Sequence, residues 1–250
     1  MINVIVTGPM GKMGSLIVKA AHEQENIKVI GAIGRKGRGY IGQDAGIVTG
    51  LGTVLDALVY DSIENIIDEC DVVIDFSTVD LSMEVLGACM KHKKALVCGT
   101  TGFSKEQEDQ LISAGSVIPL LKAANTSYVT NVMKRLIALA AEALADKAKI
   151  DIIDMHDERK VDSPSGTSKE FAIEMAQASG KNLWEITHHS LRSGDISSVH
   201  NVIFGCMGER LEITHHAYNF GCYARGAVDG ALFLAGKPIG LYSMGDVIGI

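Results

Sequence analysis

Apolar residues in this chain come in short runs separated by longer stretches of mixed pattern, the rhythm of strands and helices taken in turn. Residues 2–7 form one buried-strand run and Lys28 to Ile33 a second. Between them Gly8-Pro9-Met10-Gly11-Lys12-Met13-Gly14 opens a helix that the pattern carries to about His22. Asp71 to Ser77 predicts a strand with a polar end, and Leu81 to His92 a helix. Ala95 to Cys98 predicts a strand closing on Gly99-Thr100-Thr101-Gly102-Phe103, and Val117 to Leu121 another, ending near Ala123-Ala124-Asn125-Thr126. Ser104 and Gln107 have the spacing of a capping box for the helix that follows them. Strands alternating with helices predict a parallel sheet with right-handed crossovers and ligands at the strand carboxyl ends. Ser77, Thr100, Thr101 and Asn125 all fall on that edge.

After about residue 126 the pattern changes. A long helix from about Val129 to Ala145 precedes a strand at 149–154, a charged loop, and a helical run from Glu170 to Ala178. From Trp184 to His216 strand-like runs follow one another with few helical signals, as in an antiparallel or mixed sheet. Arg210 to His215 alternates polar and apolar, so one face is buried and the other is wet or paired with a second subunit. Gly226 to Ala235 returns to helix.

Composition narrows the partners. The 250 residues suit one large or two small domains, and the formal charge of −7 argues against a nucleic-acid partner held by a basic surface. Five cysteines without C-x-x-C spacing argue against a disulfide framework and for buried thiols in a reducing compartment. Met1 to Val6 is a strand start without a basic leader or cleavage site, and no apolar run approaches the ~20 residues that span a bilayer. A soluble cytoplasmic protein without a membrane partner is expected. His188-His189 and His215-His216 lie in strand-like runs where neighbours point to opposite faces, so neither pair is set to chelate one metal ion.

Two tracts carry chemistry. The glycines at 8, 11 and 14 permit a tight turn, close approach to a pyrophosphate, and close helix–strand packing. Their G-x-x-G-x-x-G spacing is not the commonest one, and a glycine turn without ligand is the plain alternative; the position between two strand runs supports a dinucleotide. Past the second strand, where an NAD-binding fold places a carboxylate for the ribose, stand Gly34-Arg35-Lys36. The fork of Arg35 with Lys36 beside it suits a 2′-phosphate, so NADPH is expected to be preferred, with NADH also accepted. The second tract runs from His156-Asp157-Glu158-Arg159-Lys160 to Ser163-Pro164-Ser165-Gly166-Thr167, at a strand-to-helix junction. Lys160 is a mobile cation and proton donor, and the Ser165-Gly166-Thr167 turn offers hydroxyls and amides at a helix start, a ready anion site. A solvated charged loop with an ordinary cap is the alternative for this tract alone.

With GPMGKMG at 8–14, GTTGF at 99–103, AAN at 123–125, KVDSPSGT at 160–167, RSGDI at 192–196, GERLEITH at 208–215 and GLYSMGDV at 240–247, the chain resembles the dihydrodipicolinate reductase family nearly end to end. IGQDAG at 41–46 and DFS at 75–77 add to the match. The resemblance implies an α/β protein with a Rossmann-like dinucleotide domain of residues 1–126 and 221–250. It implies an α+β domain of residues 127–220 whose open mixed sheet binds substrate and builds a homotetramer. It implies hydride transfer from a nicotinamide to an α,β-unsaturated cyclic imine dicarboxylate, dihydrodipicolinate to tetrahydrodipicolinate, in lysine and diaminopimelate biosynthesis. His156 and Lys160 align with the family's proton-handling pair, and Asp157, Ser165, Gly166 and Thr167 with its substrate-binding positions. Cofactor contacts map to Gly8, Pro9, Met10, Gly11, Lys12, Met13, Arg35, Lys36, Phe76, Gly99, Thr100, Thr101, Ala123, Ala124, Asn125 and Thr126.

The departures fall in the substrate half. Asp157 replaces the second of two adjacent histidines, and a carboxylate beside a dianion repels it unless protonated or turned away. Thr126 replaces a phenylalanine near the nicotinamide, Ser127 to Thr130 are bulkier than the family pattern, and Phe220 stands for an arginine. Two other readings therefore remain: a paralogue reducing a different cyclic imine or enamine acid, and a non-catalytic NADPH-binding sensor. Retention of Lys160 and of the Ser-Gly-Thr turn argues against the sensor.

Overall fold

The computed structural model describes residues 1–250, which divide into two compact units, Met1–Tyr128 with Gly221–Gly249, and Val129–Phe220 with Ile250. No helix is long and apolar enough to cross a membrane.

The first unit is built on a seven-stranded sheet: β1 (Ile2–Thr7), β2 (Ile27–Ile33), β3 (Leu58–Tyr60), β4 (Val72–Asp75), β5 (Ala95–Cys98), β6 (Pro119–Lys122) and β11 (Gly240–Tyr242). Their order is β11-β6-β5-β4-β1-β2-β3, and the pairs are parallel. The strands read as near-continuous apolar runs because both faces are covered, as parallel sheets require. One core joins Val4, Val6, Ile74 and Val97 to Ile17 and Val18 of α1 (Lys12–His22) and to Ala227, Val228 and Ala231 of α7 (Gly221–Leu234). The opposite core joins Ile5, Val73, Leu96 and Leu120 to Val85 and Cys89 of α3 (Val79–His92) and to Leu111 of α4 (Lys105–Ala114). The short α2 (Ala45–Val48) and α8 (Met244–Ile248) complete the unit. Helix α4 starts on the Ser104–Gln107 capping box that the sequence predicts. The strand order reverses between β1 and β4, so their carboxyl ends flank the crevice where such sheets hold ligands.

In the second unit four strands, β7 (Lys149–His156), β8 (Ile186–Arg192), β9 (Ser198–Cys206) and β10 (Glu209–Ala217), are ordered β10-β9-β7-β8. β7 runs parallel to β8 and antiparallel to β9, which makes the sheet mixed. The α5 helix (Tyr128–Leu144) and α6 (Gly166–Ser179) cover one face, with Met133, Ile137, Phe171 and Met175 packed on Ile150, Ile152, Val202 and Phe204. Period-two alternation along β7 sends Ile150, Ile152, Asp154 and His156 to that covered face. On the other face Ile153, Met155, Leu191, Val199 and Ile203 stay half-buried or exposed and join no core.

Candidate active site

The first unit presents a cleft at the β1 and β4 ends. Thr7 leads into Gly8, whose φ of +62° is a left-handed backbone that favours glycine, and the Gly11 amide returns to the Gly8 carbonyl at 2.8 Å. A Cβ on Gly14 would lie 2.1 Å from the Gly8 carbonyl oxygen, so the third glycine is what lets α1 begin against the turn. Gly11 caps α1 without a side chain, so the helix start is open to an anion. The cleft holds about 800 Å³ and is lined by Gly8, Met10, Gly11, Arg35, Lys36 and Phe76, among others. Asp61, Asp80 and Glu84 also line it, so it is not uniformly cationic. Tyr40, which sequence reasoning passed over, accepts the Arg35 amide on its hydroxyl at 3.1 Å. Its ring covers Gly34, where a Cβ would lie 2.4 Å from the ring.

The remaining predicted cofactor residues differ in what they expose. Lys12 is exposed, Met13 half-buried against the core, and Pro9 buried. Gly99 lies under the Phe76 ring, 2.1 Å from where its Cβ would be. Thr100 is nearly buried and donates to Asp75, while Thr101 and Ala124 stand exposed. Ala123 is buried, and the Asn125 side chain accepts the Ser127 amide at 3.0 Å. Thr126 is only 1% exposed, and its hydroxyl donates to the Tyr223 carbonyl of α7 at 2.6 Å. That side chain serves helix packing, since Gly226 brings α7 against the Thr126 carbonyl too closely for any Cβ. The fold and these turns fit a nicotinamide dinucleotide, and Gly8, Gly11, Arg35 and Lys36 are the residues that would hold it.

In the second unit the chemistry gathers where β7 ends. Asp154 is fully buried; it accepts the Ser165 amide at 2.9 Å, the Ser190 hydroxyl, and Arg192 Nη2 at 3.3 Å. Burial pushes its carboxyl up, but the hydrogen bonds from Ser190, Ser165 and Arg192 outweigh this and hold it at about 2. Arg192 also donates to the Asp162 carbonyl at 2.6 Å, tying the charged loop to β8. His156 is 8% exposed, and its buried Nε2 lacks a hydrogen-bond partner, standing 3.7 Å from Asp154 Oδ2. Burial, helped by the Lys160 charge, pushes its pKa down, which favours the neutral imidazole. Lys160 Nζ lies 2.7 Å from Asp162 Oδ1 and is about a quarter exposed, with its side chain at 27%.

The loop between these groups is folded back on itself. The Lys160 amide donates to the Asp157 carbonyl at 3.1 Å, and the Ser193 amide to the His156 carbonyl at 3.0 Å. Asp157 is turned to Arg159, accepting from its amide at 3.1 Å and from its Nε at 3.0 Å. Ser165 caps α6 by accepting the Ser168 amide at 3.2 Å. Gly166 has nothing within 4 Å of its Cβ position, so the helix start is reached through open space. His200, 1% exposed, meets Ser165 Oγ at 3.3 Å and the His156 ring edge-on at 5.4 Å between centroids. Its burial, with His156 and His215 nearby, pushes it down to about 3. Phe220 is half-buried.

Asp154, Ser190, Arg192 and His200 were missed by sequence reasoning. One signal was available: Asp154 and His156 are two apart on a strand and so share a face. Ser190 and His200 face Asp154 from β8 and β9, and that register is invisible in the sequence. The doubled histidines diverge: His188 Nδ1 meets Ser168 Oγ at 3.0 Å, and His189 Nε2 meets Asp151 at 2.8 Å. No group of three or more His, Cys, Asp or Glu side chains is placed to hold a metal ion.

Comparison with known proteins adds the following. The family profile described as "Dihydrodipicolinate reductase, N-terminus" matches residues 2–126, and the one described as "Dihydrodipicolinate reductase, C-terminus" matches residues 129–248. The 4-hydroxy-tetrahydrodipicolinate reductase of Syntrophotalea carbinolica is 37% identical, with all of both chains aligned. That of an Anaeromyxobacter species is 38% identical, covering 100% of this chain and 98% of its own. Among solved structures, a dipicolinate-bound dihydrodipicolinate reductase from Paenisporosarcina sp. TG-14 superposes with a TM-score of 0.80 at 24% identity, over 97% of each chain. An amine dehydrogenase from Mycobacterium smegmatis superposes with a TM-score of 0.71 at 13% identity, over 97% of this chain and 95% of its own, a likeness of fold.

Proposed function

The chain belongs to the dihydrodipicolinate reductase family, and we propose from that footing that it reduces the cyclic imine dicarboxylate of lysine and diaminopimelate biosynthesis with NADPH as the preferred hydride donor. As a member it is an NAD(P)H-dependent oxidoreductase with a dinucleotide-binding domain. The observation that carries the substrate reading is the end of β7, where one loop sets Lys160, a neutral His156 and the open start of α6 together.

When bound, the reduced nicotinamide supplies a hydride; the residues of the chain supply the rest. The start of α6 at Gly166 and Thr167 takes a substrate carboxylate through the helix dipole and backbone amides. Asp154 holds the Ser165 amide, so the cap and the helix start stay aimed at that carboxylate. Lys160 offers the ammonium that offsets charge as electron density builds on the ring, and then the proton that completes reduction. His156, kept neutral by burial beside the Lys160 charge, is the second proton-handling group of this loop in the reading proposed. Asp157, paired with Arg159, has its charge met locally, which supports use of the dianionic substrate in spite of the missing histidine. The same residue favours the second reading: a substrate bearing an amine or lacking one carboxylate would find an acidic side chain in this loop.

Arg35 and Lys36 at the cleft support the preference for NADPH. A charge-assisted pair with a 2′-phosphate contributes about 1.5–3 kcal/mol, or roughly 10- to 100-fold in affinity. The uncovered face of the second sheet, with Ile153, Met155, Leu191, Val199 and Ile203, supports assembly as a homotetramer through that face.

The test is oxidation of NADPH by the purified chain on addition of enzymatically generated dihydrodipicolinate. Substrate-dependent loss of absorbance, slower with NADH, is expected. Consumption of NADPH only with another cyclic imine acid would replace this reading with the paralogue. Tight NADPH binding without turnover of any imine acid would restore the sensor.

A further inference from the structure

The strand ends of the first unit enclose a carboxylate to which the sequence reading assigned no role. Asp75, the last residue of β4, is fully buried and takes its partners from hydroxyl groups. Its Oδ1 accepts from Thr7 Oγ1 at 2.6 Å and from Ser77 Oγ at 2.6 Å. Its Oδ2 accepts from Thr100 Oγ1 at 3.0 Å and from Ser82 Oγ. A carboxylate has about four lone-pair sites, so this one is saturated.

Saturation fixes the direction of the hydroxyls. Thr7, Thr100 and Ser82 rotate their single protons towards Asp75, which turns their lone pairs the other way, while Ser77 Oγ also has the Thr78 carbonyl at 3.3 Å. Two of them use those lone pairs at once. Thr7 Oγ1 accepts the Phe76 amide at 3.1 Å, and Thr100 Oγ1 accepts the Ser77 amide at 2.9 Å. The buried anion thereby orders two consecutive amides at the end of β4, working through hydroxyls from β1 and from the end of β5. Phe76 and Ser77 line the dinucleotide cleft with Gly8 and Gly11. The Phe76 carbonyl lies 3.3 Å from the Cβ position of Gly8, so a shift at Phe76 is felt at the glycine turn. The Ser82 arm is different: it sits on α3, and no amide of the cleft is bound to it.

We propose that Asp75 is a positioning residue for the dinucleotide, a buried carboxylate that holds the Phe76–Ser77 strand end through Thr7 and Thr100 without touching the cofactor. This rests on the first unit being the NAD(P)H site. The arrangement predicts which hydroxyls matter, since only an arm that also carries a cleft amide transmits the carboxylate's influence. Thr7 is the informative arm because it is 0% exposed, so its loss acts on the cofactor only through what it holds.

The experiment is an NADPH fluorescence titration of the full chain, with thermal midpoints of the same samples, for Asp75→Asn, Thr7→Val and Ser82→Ala. Losing one such hydrogen bond corresponds to roughly a fivefold change in an equilibrium. Thr7→Val should therefore raise the Kd for NADPH about 3- to 10-fold, and Asp75→Asn about tenfold or more, while Ser82→Ala leaves it within about twofold. At saturating NADPH, kcat should stay within about threefold in all three, so that the defect reads in KM. A network that merely supports the fold would order Kd by thermal midpoint, and Ser82→Ala would then weaken binding as much as Thr7→Val. That result, or an unchanged Kd in Asp75→Asn, overturns the proposal. Should Asp75→Asn not fold, the Thr7 and Ser82 pair decides alone. A parent chain that binds neither NADPH nor NADH overturns the dinucleotide reading instead.

Discussion

Replacing Asp154 by Asn tests the polar centre of the second unit most directly. The asparagine keeps the shape, and its amide can turn so that oxygen still meets the Ser165 amide and Arg192 while nitrogen meets the Ser190 hydroxyl. What is lost is the charge opposite a guanidinium whose side chain is only 16% exposed. The folded carboxyl titrates at about 2 against an ordinary 3.8, so it stabilises the native state. At 1.36 kcal/mol per unit that is about 2.4 kcal/mol, and about 1–2 kcal/mol after allowing for solvent near Ser190 and Arg192. The sign follows from the lowered pKa. The contribution is present above pH 3.8 and is lost as pH falls towards 2, with roughly half of it gone at pH 3. Urea unfolding of parent and Asp154→Asn at matched protein concentration, at pH 6 and pH 3, should show a gap that narrows at the lower pH. The KM for the imine acid should rise modestly as well, because the anchor on the Ser165 amide and the start of α6 weakens from a carboxylate to a neutral amide oxygen. A parent–variant gap below about 0.5 kcal/mol at pH 6, or one that does not shrink at pH 3, would refute the reasoning.

Lys160→Met should lower kcat about 10²- to 10⁴-fold, the usual share of a general acid, and leave the Kd for NADPH within twofold; equal damage to both would remove Lys160 from proton transfer. Asp157→His should change the KM for dihydrodipicolinate by no more than about twofold, because Arg159 already meets the Asp157 charge, and should impair activity on the chain's own substrate if it is a paralogue; a large fall in KM would show that the Asp157 charge opposes the dianion. Gly14→Ala should weaken NADPH binding sharply, because its Cβ would sit 2.1 Å from the Gly8 carbonyl, and near-parental binding in a titration would show that the turn relaxes.

The sequence by itself determined the local grammar of this protein. Apolar runs of strand length, glycines at 8, 11 and 14, and the Ser104–Gln107 cap were enough to place β1, α1, β2 and α4, because each depends on residues a few positions apart. The long helix after residue 126 and the strands after 184 were readable for the same reason. The short strands β3 and β11 were not, since three residues carry no period of their own and exist by pairing with β2 and β6. In the candidate site the sequence placed His156, Lys160 and Ser165 to Thr167 together because they are contiguous. Tertiary structure alone decided which distant groups meet them. Strand register set Ser190 and His200 opposite Asp154, and Arg192 reached Asp154 from 38 positions away. Burial then decided protonation, turning His156 and His200 towards neutral imidazoles and letting hydrogen bonds hold Asp154 charged. In the first unit it gathered four hydroxyls from separate segments onto Asp75. Periodicity is written along the chain, whereas hydrogen-bond satisfaction and desolvation depend on neighbours that only the folded chain supplies.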